Sequence, residues 1–193
     1  QIKAIGICDS NNLCGALEFS ESIAKSKTQP IIGTQINIQY KGNMGKIPLF
    51  AKDLQGYKNL IKLSSKSFLA IKDDEEPHCK IEDIEANYKG LILLSGSFDG
   101  LIGQLFFKNL TDEIFLLFKK FNNILKDNFY LEIQRHNDNG EKLFEKFLLN
   151  TSDKLSLPLI ATQEVFYLEK NMHEAHDAYL CVGEKTYVNA KDR

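Results

Sequence analysis

The chain contains no tryptophan, no apolar run long enough to cross a bilayer and no marked excess of charge of either sign. Its longest apolar stretches, residues 91–94 and 114–118, fall far short of the roughly 20 residues that a membrane helix requires. Twenty-four Lys plus Arg oppose 26 Asp plus Glu, for a formal charge of -2. No basic excess therefore marks the whole chain as a nucleic-acid binder, and any such contact must be local or made elsewhere. Four cysteines, Cys8, Cys14, Cys79 and Cys181, form no CxxC pair, so they read as buried or incidental thiols of a reducing cytosol. Plentiful Lys, Asn and Ile alongside the missing Trp suggest an AT-rich coding sequence and say nothing of function.

Other absences concern chemistry. Gly96, Gly100 and Gly103 lack the spacing and the GK[ST] ending of a phosphate loop. Ser65, Ser95 and Ser97 lack a GxSxG elbow, which argues against a serine hydrolase. Position 1 is Gln, with no Met, cationic segment or apolar core of a signal peptide, so the chain reads as an excised piece. No repeat, low-complexity tract or linker interrupts it, and a single domain over 1–193 is expected.

What is present is 43% apolar residues, enough for a well-buried core. Short β-branched runs alternate with stretches of helical period, which predicts βα units on a mainly parallel sheet. Strands are expected at 3–8, 30–39, 47–51, 91–94, 129–133 and 157–161, with 41–45 as the turn between the second and third. Helices are expected at 13–25, 54–69, 101–107, 112–125, 140–155 and 172–182. Leu13, Ala16, Leu17 and Ile23 form the stripe of the first helix; Leu54, Tyr57, Leu60, Ile61 and Phe68 form that of the second. Residues 71–77 are acidic and read as an exposed loop, with His78 and Cys79 as incidental surface residues.

The strands end on polar groups: Asp9 after the first, Gln35 within the second, Ser95 after the third, Arg135 and His136 after the fourth of the parallel set, and Gln163 and Glu164 after the last. Such strand ends are the expected active rim of a barrel or open α/β sheet.

Seven blocks in order, "CDSNNLCGALEF", "PIIGTQINI", "DLQGYKNLIKLSS", "GLILLSGSFDG", "NFYLEIQRHN", "PLIATQEVFYL" and "HEAHDAYLCV", resemble the polymerase and histidinol phosphatase (PHP) domain found at the N-terminus of the bacterial DNA polymerase III alpha subunit. The resemblance implies a distorted TIM-like (βα)7 barrel whose strand ends hold a metal cluster. It also implies that the family's first strand, with a His-x-His pair, would lie upstream of Gln1, leaving a sheet with two exposed edges.

By the same resemblance, Asp9 and His136 keep their metal-binding identities and Glu164 stands for Asp. Ser10 stands where the family has His, Gln35 where it has Glu, Ser97 where it has Cys and Phe166 where it has His. A multinuclear phosphoesterase site needs imidazoles and carboxylates to hold its cations. The constellation therefore reads as degenerate, with Asp9, His136 and Glu164 as remnants that could retain a single Zn or Mn. The implied role is that of a structural scaffold and docking surface for the proofreading exonuclease among the other polymerase III holoenzyme subunits. DNA, deoxynucleoside triphosphates and magnesium would be handled by polymerase domains outside this segment. The rival reading is an active metal-dependent 3′-5′ exonuclease or phosphoesterase.

Simpler roles exist for the same residues. Asp9 could cap the first helix, and His136 could bond a neighbouring carboxylate at the rim. His173 and His176, with Asp177 beside them, lie three apart on one helical face, but the zincin pattern needs four. Phe98, Phe106 and Phe107 could serve a docking patch, although core packing explains each of them as well.

Overall fold

The alternation of Ile32, Thr34, Ile36 and Ile38 with Gly33, Gln35 and Asn37 generates the longest strand, because side chains at a period of two put Thr34, Ile36 and Ile38 on one buried face. In chain order the strands are β1 (Ala4–Ser10), β2 (Gln29–Tyr40), β3 (Asn43–Ala51), β4 (Cys79–Lys80), β5 (Leu91–Leu94), β6 (Phe129–Ile133) and β7 (Leu159–Ala161). The helices are α1 (Ala16–Lys25), α2 (Leu54–Leu69), α3 (Ile81–Asn87), α4 (Leu101–Phe107), α5 (Thr111–Leu125), α6 (Glu141–Leu155) and α7 (His173–Glu184). The structure, a computed structural model, describes residues 2–72 and 74–190. Gln1, residues 191–193 and Asp73, part of the acidic stretch expected to be a loop, lie outside the described residues.

The strands form one mixed sheet in the order β1-β2-β3-β5-β6-β7, with β4 added to β2. Pairing is parallel for β1–β2, β2–β4, β5–β6 and β6–β7, and antiparallel for β2–β3 and β3–β5. The path has two ends, as a TIM-like barrel without its first strand would, and the described strands form a curled mixed α/β half-barrel rather than an all-parallel one. Two features account for this. Lys41 and Gly42, at φ of 48° and 76°, make a two-residue turn that sends β3 straight back along β2, the geometry that matches strand twist. The expected five-residue loop is thus a tight hairpin, and Asn43–Gly45 belong to β3. In addition, β3 passes to β5 in an antiparallel sense, so no βαβ crossover occurs there.

One face of the sheet carries Ile36, Ile38, Ile47, Leu49, Leu91, Leu93, Phe129 and Leu131, all buried. Register keeps them together: Ile36 opposes Ile47, Leu49 opposes Leu93, and Leu93 opposes Phe129. Helices α2, α4 and α5 lie against these strands and close the core with Leu60, Leu63, Leu101, Leu105, Phe118 and Phe121. Asp53 caps α2 by accepting from Gly56 N–H at 2.8 Å, which removes one of the orphan donors of the first turn.

Several expectations need correction. Leu13 precedes α1, and Leu17 is exposed, because α1 covers the edge pair β1–β2 and buries only Ala16. In α2 the buried side is Gly56, Asn59, Leu60, Leu63 and Ser67, while Leu54, Ile61 and Phe68 face outward. His78 and Cys79 are buried, not surface residues: Cys79 enters the sheet opposite Ile38, and His78 donates its backbone N–H to Ser67 O at 3.0 Å. Strand β4 and helix α3 were not expected at all; β4 has two residues and α3 only two buried apolar positions, Ile81 and Ile84.

The chain divides into two compact units, Gln1–Ala161, which holds the sheet, and Thr162–Arg193, which holds α7. None of the four cysteines forms a disulfide.

Candidate metal-site remnant

Strand β1 runs two residues further than the apolar pattern suggests, so Asp9 and Ser10 are strand residues rather than loop residues. The register pairs Asp9 with Thr34 and Ser10 with Gln35. Since successive side chains leave opposite faces of a strand, Asp9 turns to the helix-covered side, where its Oδ2 lies 3.3 Å from the position a Cβ would take on Gly15. Ser10 and Gln35 turn to the other side. Gln35 reaches back with Nε2 to Cys8 O at 3.5 Å, a long bond to backbone that a carboxylate could not make.

Asp9 does not cap α1, whose N-cap is Gly15 with no side-chain bond. Its carbonyl instead accepts from Thr34 Oγ1 at 2.8 Å. The turn beyond it is held by Asn11, at φ 58°, whose N–H donates to Gln35 O at 2.7 Å and whose Oδ1 accepts from Asn37 N–H at 3.1 Å. Ser64 Oγ donates to Asn11 O at 3.1 Å and ties this corner to α2. Asn11 and Asn37 escaped the sequence reading; the signal was Asn where the chain must take a left-handed conformation after a strand.

His136 lies at the exposed end of β6. Its Nε2–H donates to Gln134 Oε1 at 3.1 Å, and Gln134 Nε2–H donates to Glu132 Oε1 at 3.1 Å. Glu132, Gln134 and His136 thus form a chain of every second residue, anchored on the buried Glu132, whose backbone N–H donates to Ser95 Oγ at 2.9 Å. The expected imidazole–carboxylate contact is replaced by one to an amide. A carboxylate does hold the segment, through its backbone: buried Glu141 accepts from His136 N–H at 2.7 Å and from Asn137 N–H at 2.8 Å. Neither Glu132 nor Glu141 was picked out from sequence. Arg135 makes a two-pronged pair with Glu145, at 3.0 and 2.7 Å, and this guanidinium holds the Glu145 carboxyl below its ordinary range.

Ser97 donates to Asp99 within the turn before α4. In the second unit, Phe166 packs its ring on His176, with centroids 5.3 Å apart, and Tyr167 lies 5.4 Å from His176 and 6.1 Å from His173. The two histidines of α7 are therefore partners of aromatic rings, and half-buried Glu164 sits two residues before that stack. Within either unit, no three His, Cys, Asp or Glu among the described residues are grouped so as to hold a metal ion.

The donor set does not fit a metal cluster. Ser10 and Gln35 offer neutral oxygens where, by the resemblance to the family, an imidazole and an anion would lie.

A family model for the PHP domain matches residues 1–136. The chain belongs to the PHP domain family. Over its whole length it is similar to one kind of protein that carries such a domain, the DNA polymerase III subunit alpha. It is 39% identical over 196 residues to that subunit of Rickettsia prowazekii, covering 100% of this chain and 16% of the relative. The Caulobacter vibrioides subunit is 33% identical over 201 residues, again covering 100% of this chain but 18% of the relative. The Vibrio cholerae subunit is 29% identical over 184 residues, covering 94% and 16%. The chain thus spans less than a fifth of the length of these relatives. A crystal structure of a candidate metal-dependent phosphoesterase from Bifidobacterium adolescentis superposes with a TM-score of 0.49 at 13% identity, covering 82% of this chain and 76% of that one.

Proposed function

We propose that this chain is the PHP module of a replicative polymerase alpha subunit, and that its metal site has decayed into a structural remnant. The observation that carries the reading is the pairing of Ser10 with Gln35 across β1–β2. Two neutral side chains lie side by side where, by resemblance to the family, a His and a Glu would lie. Replacing an anion by an amide removes most of the attraction for a cation, and a hydroxyl does not replace an imidazole. Phe166, standing by the resemblance where the family has His, supports the same reading, because its ring cannot bind a metal and packs on His176 instead. Asp9 and His136 keep side chains able to bind Zn or Mn, but among the described residues no three His, Cys, Asp or Glu come together to hold an ion.

No hydrolytic step is assigned to this module. Its work is to stabilise the alpha subunit and to offer a surface for the proofreading exonuclease in the polymerase III holoenzyme. The parent chain performs template-directed DNA synthesis in the cytoplasm, using magnesium and deoxynucleoside triphosphates in domains beyond this segment. The similarity to alpha subunits along the entire chain supports that context.

The test is an assay for phosphoester cleavage. The purified chain, supplied with Mn²⁺ or Zn²⁺, is expected to leave a single-stranded DNA with a labelled 3′ end intact. Metal-dependent 3′-5′ trimming that disappears in His136→Ala would favour the active phosphoesterase instead. Titration calorimetry with the exonuclease subunit examines the docking half separately, and absence of heat at micromolar concentrations would remove it.

A further inference from the structure

Helix α2 is amphipathic on its buried side and patterned on its exposed side as well. Leu54, Ile61 and Phe68 recur every seven residues, and they are 69, 44 and 52% exposed. Leu69 beside them is 84% exposed. At about 100° per residue, these positions fall on the side of the helix opposite Gly56, Asn59, Leu60, Leu63 and Ser67, which meet the sheet. The result is an apolar ridge roughly 21 Å long, at about 1.5 Å per residue. Lys58 and Lys62 run along one flank of it, one turn apart. Lys66, a turn further on, is neutralised by Asp83, whereas Lys58 and Lys62 make no ion pair among the described residues.

We propose that this outer face of α2 docks an amphipathic helix whose apolar seam is flanked by Asp or Glu. A seven-residue apolar repeat is the spacing at which one helix presents a seam to another, and the unpaired lysines supply the complementary charge. A second copy of the same face fits poorly, since two such helices side by side would set Lys58 and Lys62 against like charges. An anionic membrane fits poorly too: two lysines fall short of the roughly four to eight cations of a lipid-binding cluster, and the ridge belongs to a helix already fixed on a sheet by its other face. The inference does not depend on the state of the metal site.

The experiment uses two labelled helical probe peptides of 18 residues that share a Leu seam, one flanked by Glu and the other by Lys, titrated into the intact polypeptide by fluorescence anisotropy. The Glu-flanked probe is expected to bind at least tenfold more tightly than the Lys-flanked one, and the preference should invert in Lys58→Glu/Lys62→Glu. Ile61→Asp should abolish binding, while Leu116→Asp, at a somewhat more exposed position on α5, should leave it unchanged; circular dichroism checks that each variant is folded. Equal binding of the two probes, binding of neither, or insensitivity to Ile61→Asp would overturn the proposal. So would self-association that Ile61→Asp abolishes, or binding to phosphatidylserine vesicles without any preference between the probes.

Discussion

Ser10 and Gln35 face each other as register partners in the parallel ladder of β1 and β2, while Asp9, one residue before Ser10, points to the opposite side of the sheet. Local strand geometry therefore separates the one carboxylate of this corner from the amide beside it. Installing Gln35→Glu alone should not create a tight divalent site, because the new anion would meet Ser10 rather than Asp9. Calorimetry with Mn²⁺ is expected to show no gain beyond about tenfold in affinity, the effect of one added charge at a partly solvated position.

Glu141 holds the His136 loop through two backbone N–H groups. Truncation leaves two donors without their acceptor, and a bond to a charged group contributes more than a neutral one. Glu141→Ala should cost about 1–3 kcal/mol in chemical denaturation. Glu141→Gln, which keeps one acceptor, should cost less. A shift of the His136 ring resonances in both variants would locate the change.

Gly56 begins α2 against the turn at Gly90. Helix propensity alone favours Ala there by up to about 1 kcal/mol. Packing decides otherwise, because a methyl at Gly56 would sit 1.8 Å from Gly90 O, a backbone atom that cannot swing away. Gly56→Ala is expected to destabilise by about 2 kcal/mol or more, the range of overpacked interiors, read as a lower denaturation midpoint. A neutral or stabilising result would contradict this packing.

Cys79 and Cys14 should differ in reactivity. Burial, aided by Asp83, pushes the Cys79 thiol up to about 11, and the thiolate is the reactive form. At pH 8, an aromatic disulfide reagent should modify exposed Cys14 promptly. Cys79 should react only at the rate at which the chain opens.

At the tip of the β2–β3 hairpin, Glu113 accepts from Lys41 Nζ at 2.6 Å and from Tyr40 Oη at 2.8 Å. These bonds, that of Lys41 first, hold its carboxyl below the usual 4.5. A depressed folded-state value means that the clip contributes stability above 4.5, and that the contribution fades as pH falls through the lower folded value. The stability difference between the native chain and Glu113→Gln should therefore be present at pH 7 and shrink as pH falls below 4.5 through the lower folded value. A difference that grew on acidification would reverse the sign of this account.

Much of the fold was legible where one periodicity dominates. The ranges of α2, β5, α4 and β6 follow directly from the apolar positions within them. What remained hidden depends on single backbone conformations or on contacts far apart in sequence. The hairpin of β2 and β3 was legible, but its two-residue turn was not, since it rests on consecutive positive φ values at Lys41 and Gly42. The short strand β4 exists only because β2 offers it an edge at Ile38 and Gln39, and His78 and Cys79 are buried as a consequence. At the candidate site, the identities of Ser10, Gln35 and Phe166 were plain from sequence, but the direction in which Asp9 points was not. That direction depends on β1 continuing through polar residues, which register with β2 enforces. Glu132 and Glu141 were missed because one supports His136 through an intervening amide and the other through the main chain.

The most direct test of the central claim is metal stoichiometry. Elemental analysis of the chain, after exposure to excess Mn²⁺ or Zn²⁺ and removal of loosely held ions, should find at most one ion per molecule. Two or three tightly retained ions, lost together in Asp9→Ala and His136→Ala, would contradict the claim that the site is a remnant.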